Sequence, residues 1–154
     1  MKLAEALLER ADLQKRIEAL QSRIVANAYY QEGEEPAEDA AALLQDCIRS
    51  LDTLERLVTS INVTNTTAVT SDGRTLTAAL AARESLRVQH SILVRAADAA
   101  GGSWGNRQLR SELRRLSALD VKDLRAQADT VAQQLRELDV EIQRTNWEAD
   151  LKRV

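Results

Sequence analysis

The chain has 154 residues and a formal net charge of −3, and aromatic residues make up only 3% of it, with no phenylalanine. This length suits one domain with a real hydrophobic core, which must be packed from aliphatic side chains because rings are scarce. The charge balance disfavours a protein built to neutralise a phosphate backbone, since such domains are usually strongly basic.

The first predicted helix covers residues 2–28. Its apolar residues recur at the three- and four-residue spacing of a heptad seam, namely Leu13, Ile17, Leu20 and Ile24. Extended towards the N-terminus, the same register reaches Arg10, a charged residue at a position where an apolar one is expected.

A second helix is predicted over residues 37–62, after a turn in which Gly33 ends the first helix and Pro36 opens the second. Its predicted seam consists of Leu44, Cys47, Leu51, Leu54, Val58 and Ile61, and the next position in that register is Asn65. Because Cys47 lies on the seam, we expect a buried, inert thiol.

Residues 63–74 are polar and end in Asp72-Gly73-Arg74, which is typical of a turn. Thr75 is a suitable N-cap for a third helix over residues 76–100, which the pair Gly101-Gly102 ends. The seam of this helix is rich in alanine and includes Arg83 and His90.

The segment from Ser103 to Leu119 allows two interpretations. Its leucine and arginine content suits a helix or irregular structure, whereas alternating residues favour a short strand pair near 104–119. Asp120 then caps a fourth helix over residues 121–150. Its seam is the most regular of the chain, with Val121, Leu124, Ala128, Val131, Leu135, Leu138 and Ile142.

Four helices of similar length predict an all-α fold, an elongated antiparallel four-helix bundle with coiled-coil-like seams, formed as a single domain over residues 1–154. Burying the seam of the fourth helix contributes at most about 10–20 kcal/mol. Ordering its roughly thirty residues costs about 1–2 kcal/mol each. Further faces must therefore be buried, within the chain or by other subunits, and we expect a homo-oligomer.

The N-terminal stretch lacks the uninterrupted apolar run of a signal peptide, because acidic residues interrupt it. No segment approaches the roughly 18 apolar residues of a membrane span. With a single cysteine, these observations predict a cytoplasmic protein that does not act at a membrane.

Polar residues on or beside the seams are the candidate binding residues: Arg10, Asn62, Asn65, Arg74 and Arg83. Buried polar groups need partners. In one interpretation they pair with one another or with acids and thereby fix the helix register. In the other they form a small-anion or ligand site at one end of the bundle.

No catalytic residues, metal ligands or cofactor are expected. His90 is the only histidine. A helical di-metal site needs a Glu-x-x-His pair on each of two helices, and the residue three before His90 is Arg87.

One basic concentration, from Arg107 to Arg125, suggests phosphate binding, and Trp104 lies nearby as a stacking partner. Acidic residues are interspersed with these arginines. An intersubunit salt-bridge face is therefore favoured over a nucleic-acid site.

Several stretches together carry a resemblance: Glu32-Gly-Glu-Glu-Pro-Ala-Glu-Asp39, Ile61-Asn-Val-Thr-Asn65, Asp72-Gly-Arg-Thr-Leu-Thr77, Arg136-Glu-Leu-Asp139 and Asn146-Trp147. Over nearly its whole length the chain resembles a family of small bacterial proteins of unknown function, some of which carry the label "septicolysin". The resemblance implies no activity, cofactor or site residue. It favours strands between Arg110 and Leu119, where this chain departs from the family with Leu-Arg-Arg-Leu.

The leading functional hypothesis is a cytoplasmic, oligomeric interaction or scaffold protein, because seam residues dominate over any chemical constellation. A metabolite-binding protein or enzyme that uses the Asn/Thr/Arg segment 62–74 is the first alternative. Nucleic-acid binding through residues 107–125 is the second.

Overall fold

The computed structural model describes residues 1–102 and 116–153. Within these ranges extended pairing is limited to two isolated bridges, Lys2 with Asp150 and Val69 with Thr75. The predicted all-α class with four helices is therefore confirmed. The helices are α1 (Leu3–Asn27), α2 (Ala40–Thr67), α3 (Leu76–Ala100) and α4 (Val121–Glu148).

Helix α2 departs most from its predicted bounds of 37–62. It begins after Asp39, whose carboxylate accepts hydrogen bonds from the N–H groups of Ala41 and Ala42 at 2.9 and 3.1 Å, so an aspartate cap replaces the expected proline start. At its other end the helix continues to Thr67. Nearly half of the predicted polar turn 63–74 is therefore helical.

The predicted caps of the other helices are present. The Thr75 hydroxyl accepts a hydrogen bond from the Ala78 N–H at 3.2 Å, and the Asp120 carboxylate accepts one from the Asp123 N–H at 3.0 Å. Helix α3 ends at Ala100 and Gly101 is its C-cap, as predicted. The alternative strand pair near 104–119 falls mostly outside the described residues.

The chain divides into two compact units, one of Met1–Ala68 with Arg144–Val154 and the other of Val69–Gln143. In the first unit α1 packs on α2. The core of this pair consists of Ile17, Leu20, Leu43 and Cys47, with Ile24 and Leu54 packed against it. The Cys47 thiol is buried and free, as predicted.

The buried face of α2 differs in register from the predicted seam. Leu44 and Leu51 are about half exposed, at 50% and 46%. The buried positions include Leu43, Cys47, Ser50, Leu57, Ile61 and Thr64. The predicted seam is buried at Cys47 and Ile61 and half-buried at Leu54 and Val58, but it was wrong at Leu44, where Leu43 is buried instead, and at Leu51, where Ser50 is buried instead. Ser50 and Thr64 are buried without penalty because their hydroxyls donate to the carbonyls of Asp46 and Ser60, one helical turn earlier.

The two ends of the chain meet within the first unit. The Leu3 N–H donates to the Ala149 carbonyl at 2.9 Å, and the Leu151 N–H donates to the Met1 carbonyl at 3.0 Å. The Lys2 ammonium forms a 2.8 Å ion pair with Asp150 and lowers the pKa of that carboxyl. The terminal segments are thus held by backbone pairing and one ion pair.

Thr64 fixes the segment that follows α4. Its hydroxyl donates to the Ser60 carbonyl at 2.7 Å and accepts a hydrogen bond from the Lys152 N–H at 2.9 Å. The residue is only 1% exposed, so the Lys152 amide has a partner that water cannot easily replace.

The second unit contains α3 and most of α4. Leu76 and Ala79 are fully buried and Ala97 is 2% exposed, so the predicted seam of α3 is buried at both of its ends. On α4 the predicted seam is confirmed, with Ala128, Val131, Leu138 and Ile142 buried and Val121, Leu124 and Leu135 half-buried. Alanine and valine at these positions allow close helix approach without aromatic rings.

Replacing Thr64 with valine tests the hydroxyl bridge to Lys152. Valine keeps the shape of the side chain but leaves the Lys152 N–H without its acceptor, so we expect a loss of about 1–2 kcal/mol in the free energy of unfolding. Urea denaturation measures it. Thr59→Val is the matched control, because Thr59 is exposed on α2 and makes the same bond to a carbonyl one turn earlier. Equal losses in both variants would contradict the bridge.

Candidate functional site

The segment between α2 and α3 forms a tight turn that belongs to the second unit. The Thr70 N–H donates to the Arg74 carbonyl at 2.8 Å, and the Gly73 N–H donates to the Thr70 carbonyl at 2.9 Å. Gly73 has a φ of 82°, in the left-handed region that glycine adopts without strain. The predicted Asp-Gly turn is therefore present, although it is shorter than expected.

Asp72 organises this turn. Its carboxylate accepts hydrogen bonds from the Thr70 hydroxyl at 2.5 Å and from Nε of Arg74 at 2.7 Å. The Arg74 side chain, and after it the Thr70 hydroxyl, lower the pKa of Asp72 well below its ordinary value. The guanidinium of Arg74 is thus already paired with a carboxylate, which reduces its attraction for a free anion.

The turn is joined to α4 by a hydrogen bond from the Ser71 N–H to Oε1 of Glu141, at 2.6 Å. Beside this bond a cleft of about 570 Å³ opens. Its lining comes from the turn, α3 and α4, and consists of Ser71, Asp72, Arg74, Ala82, Ser85, Leu86, Gln134, Glu137, Leu138 and Glu141. Among the described lining residues are three carboxylates and one guanidinium, a balance that favours cationic or hydrogen-bond-donating groups over anions.

Arg83 lies on α3 but is not among the residues that line the cleft. Its Nη1 atom is 3.5 Å from Oδ1 of Asp139 on α4, and both side chains are partly exposed. Its Nε atom is buried and meets no acceptor among the described residues. Arg83 therefore matches the first interpretation of the polar seam residues, in which an arginine pairs with an acid between two helices.

The remaining predicted binding residues belong to the first unit. Arg10 is half-buried on α1, and its Nε atom is likewise enclosed without an acceptor in the described part of the chain. Asn62 is exposed and Asn65 is half-buried, both on the last turns of α2 rather than in a turn. Of the five predicted residues, the structure brings Arg74 into the cleft. An anion site built from all five stays a prediction.

Sequence reasoning missed the carboxylates of α4 that line the cleft. Glu137 and Glu141 are four residues apart and so share one helix face beside the seam residue Leu138. This spacing was visible in the sequence. Nothing in the sequence alone, however, linked that face to the Asp72 turn.

The predicted basic concentration lies largely outside the described residues. Of its members only Lys122 and Arg125 are described, and both are exposed at the start of α4. Within residues 1–102 and 116–153, no three histidine, cysteine or acidic side chains are grouped so as to hold a metal ion. No described helix has an apolar stretch long enough to cross a bilayer.

Two helices present exposed apolar side chains in ordered rows. On α2 the row is Leu44, Ile48 and Leu51, which are 50%, 51% and 46% exposed. On α3 it includes Val88 and Ile92, which are 52% and 61% exposed. The spacing of four and three residues on α2, and of four residues on α3, is that of a helix-docking seam.

The fold and these surfaces define an all-α protein with four helices, a polar cleft in one unit and apolar helix faces open to solvent. The chain belongs to the family of unknown function DUF6847, whose model matches residues 10–151. The resemblance to a family of unknown function is thereby confirmed. The family match does not extend to the label "septicolysin".

A solved structure supports the same assignment. The chain is similar to a functionally unknown conserved protein from Corynebacterium diphtheriae, with 36% sequence identity, a TM-score of 0.89 and 99% of each chain covered. No curated protein matches the chain.

The pH dependence of stability tests the Asp72 interactions. A carboxyl whose pKa is lowered by folding adds stability above its ordinary pKa of about 3.9, and that stability is lost as the pH falls towards the folded-state value. We expect the difference in unfolding free energy between wild type and Asp72→Asn to be constant above about pH 5 and to shrink below about pH 4. Urea denaturation across this range measures it. A difference that grew in acid would contradict the assignment.

Proposed function

We propose that this protein is an interaction protein that associates, with itself or with a partner helix, through exposed apolar helix faces. The observation that carries the proposal is the pair of apolar rows on α2 and α3. Single exposed apolar residues are ordinary on protein surfaces. The α2 row, spaced at four and three residues, presents a continuous stripe, and the two α3 residues share one helix face. This is the pattern used when one helix docks on another.

The size of these rows sets the strength of association. Fully burying a leucine, isoleucine or valine contributes about 1.5–3 kcal/mol, so covering the exposed half of each side chain contributes about 1 kcal/mol. Each face forms its own interface, so in two symmetric subunits the three side chains on α2 contribute about 6 kcal/mol and the two on α3 about 4 kcal/mol. The loss of translational and rotational freedom costs about 4–15 kcal/mol. The balance favours weak, reversible association over an obligate oligomer.

The cleft beside the Asp72 turn supports a second candidate, the binding of a small ligand. Three elements contribute polar side chains to one cleft, and the Ser71–Glu141 hydrogen bond holds the turn against α4. Its excess of carboxylates directs this candidate to ligands with amino or other donor groups. An anion is disfavoured, since the nearest guanidinium, that of Arg74, is paired with Asp72.

Light scattering after size exclusion tests the interaction proposal. We expect the mean mass of the wild type to rise above that of the monomer as concentration increases from about 10 to 500 μM. Ile48→Glu on α2 and Val88→Glu on α3 should each reduce this rise, because a buried charge replaces a docked apolar group.

Val140→Glu is the matched control. Val140 is 69% exposed on α4, and its neighbours one turn away are the polar residues Arg136, Glu137, Gln143 and Arg144, so it belongs to no apolar row. This variant should associate as the wild type does. A wild type that stays monomeric up to several hundred micromolar would contradict self-association through these faces.

Thermal unfolding with spermidine and with inorganic phosphate as probes tests the cleft. At about ten times its dissociation constant a ligand stabilises the folded state by about 1.4 kcal/mol, which raises Tm by roughly 3–5 °C. We expect that rise with spermidine and not with phosphate. Glu137→Gln should reduce it, whereas Glu18→Gln, an equal change of charge at an exposed site on α1, should not. Equal effects of both substitutions would indicate unspecific attraction by net charge.

A further inference from the structure

We infer that the exposed face of α3 docks on the same face of a second copy of this chain, with the two helices antiparallel. This inference rests on the proposed function and names its partner and its geometry. The face consists of Ala81, Ser85, Val88, Ile92 and Arg95, all of which are exposed. A shallow groove opens along it, lined by residues that include Val88 and Ile92.

The positions of this face form one narrow stripe. They are separated by four, three, four and three residues, so they fall within about 80° of arc on a helix of 3.6 residues per turn. Small side chains at Ala81 and Ser85 let a second helix approach closely, and Val88 and Ile92 supply the apolar contact. The stripe therefore has the shape of a helix-pair interface whose centre lies near these two residues.

The charges beside the stripe decide the orientation. Glu84, Arg87, Arg95 and the half-buried Asp98 lie on one flank, and of these four Glu84 and Arg95 are nearest the stripe. The opposite flank carries Gln89 and Ala96, which have no charge. In a parallel pair, the charged flank of each helix would face the uncharged flank of the other. In an antiparallel pair like flanks face each other, so opposite charges can meet.

The apolar and the charged contacts select one register. When Val88 of one copy lies opposite Ile92 of the second copy, the twofold axis passes near residue 90 of each helix. Glu84 of each copy then lies within about 1.5 Å, along the axis, of the level of Arg95 of the other. A single alignment thus provides two Val88–Ile92 contacts and two Glu84–Arg95 ion pairs. This coincidence argues for a second copy over an unrelated helix.

A charge-swap cycle on the full chain, read by sedimentation equilibrium, tests this arrangement. Glu84→Arg and Arg95→Glu should each place two like-charge contacts in the dimer and raise its dissociation constant by about tenfold. The double variant restores opposite charges at the same positions, and its dissociation constant should return to within about threefold of the wild-type value. Circular dichroism confirms that each variant keeps its helix content, because Glu84 also lies 3.9 Å from Arg87.

Glu18→Arg on α1 is the control for a change in net charge, and it should leave the dissociation constant unchanged. Rescue in the double variant supports the antiparallel α3 pair. Association of the wild type without rescue overturns this inference, and it points to a parallel pair, to the face of α2 or to another partner, while the proposed function stands. A wild type that remains monomeric overturns this inference together with self-association, and of the proposed function it leaves only the docking of a different partner helix.

Discussion

The packing of the first unit depends on hydrogen bonds that buried hydroxyl groups donate to carbonyls of their own helix. With few aromatic side chains, the α1–α2 core is made of short aliphatic groups and needs close helix approach. Ser50 and Thr64 provide small buried positions because each donates to a carbonyl one turn earlier. The hydroxyl oxygen of Thr64 also accepts a hydrogen bond from the Lys152 N–H, and this bond holds the segment after α4. A core that accepts hydroxyls in this way places its helices closely without large side chains.

The same constraint explains which parts of the fold the sequence predicted. On α4 the seam residues are aliphatic throughout, so the heptad pattern predicted the buried face correctly. On α2, Ser50 and Thr64 are polar residues that a heptad pattern does not assign to a core. The predicted seam therefore included Leu44 and Leu51, which are half exposed in the structure. The end of α2 was missed for a related reason, because the threonines of residues 64–67 suggest a loop until their hydroxyls are seen to bond within the helix.

The candidate site was less predictable than the fold, because it depends on contacts between distant parts of the chain. The Asp72-Gly73-Arg74 turn was visible locally, and its internal hydrogen bonds follow from the residues themselves. That Glu141 would accept a hydrogen bond from Ser71 depends on where α4 lies beside the turn. The predicted anion site relied on arginines as free charges. Arg74 and Arg83 instead each stand beside an aspartate, so their fields are largely cancelled where an anion would bind.

The apolar row on α2 follows from the displaced register as much as from composition. Leu44 and Leu51 were predicted to fill a core, and once Leu43, Ser50 and Leu57 take those places the leucines remain at the surface beside Ile48. A sequence under selection only for a single stable chain would gain solubility from polar residues at these positions. On α3 the apolar stripe is flanked by charges on one side only, an asymmetry that solubility does not require and that a symmetric antiparallel pair would use. The exposed faces therefore carry more information about function than the seams that hold the helices together.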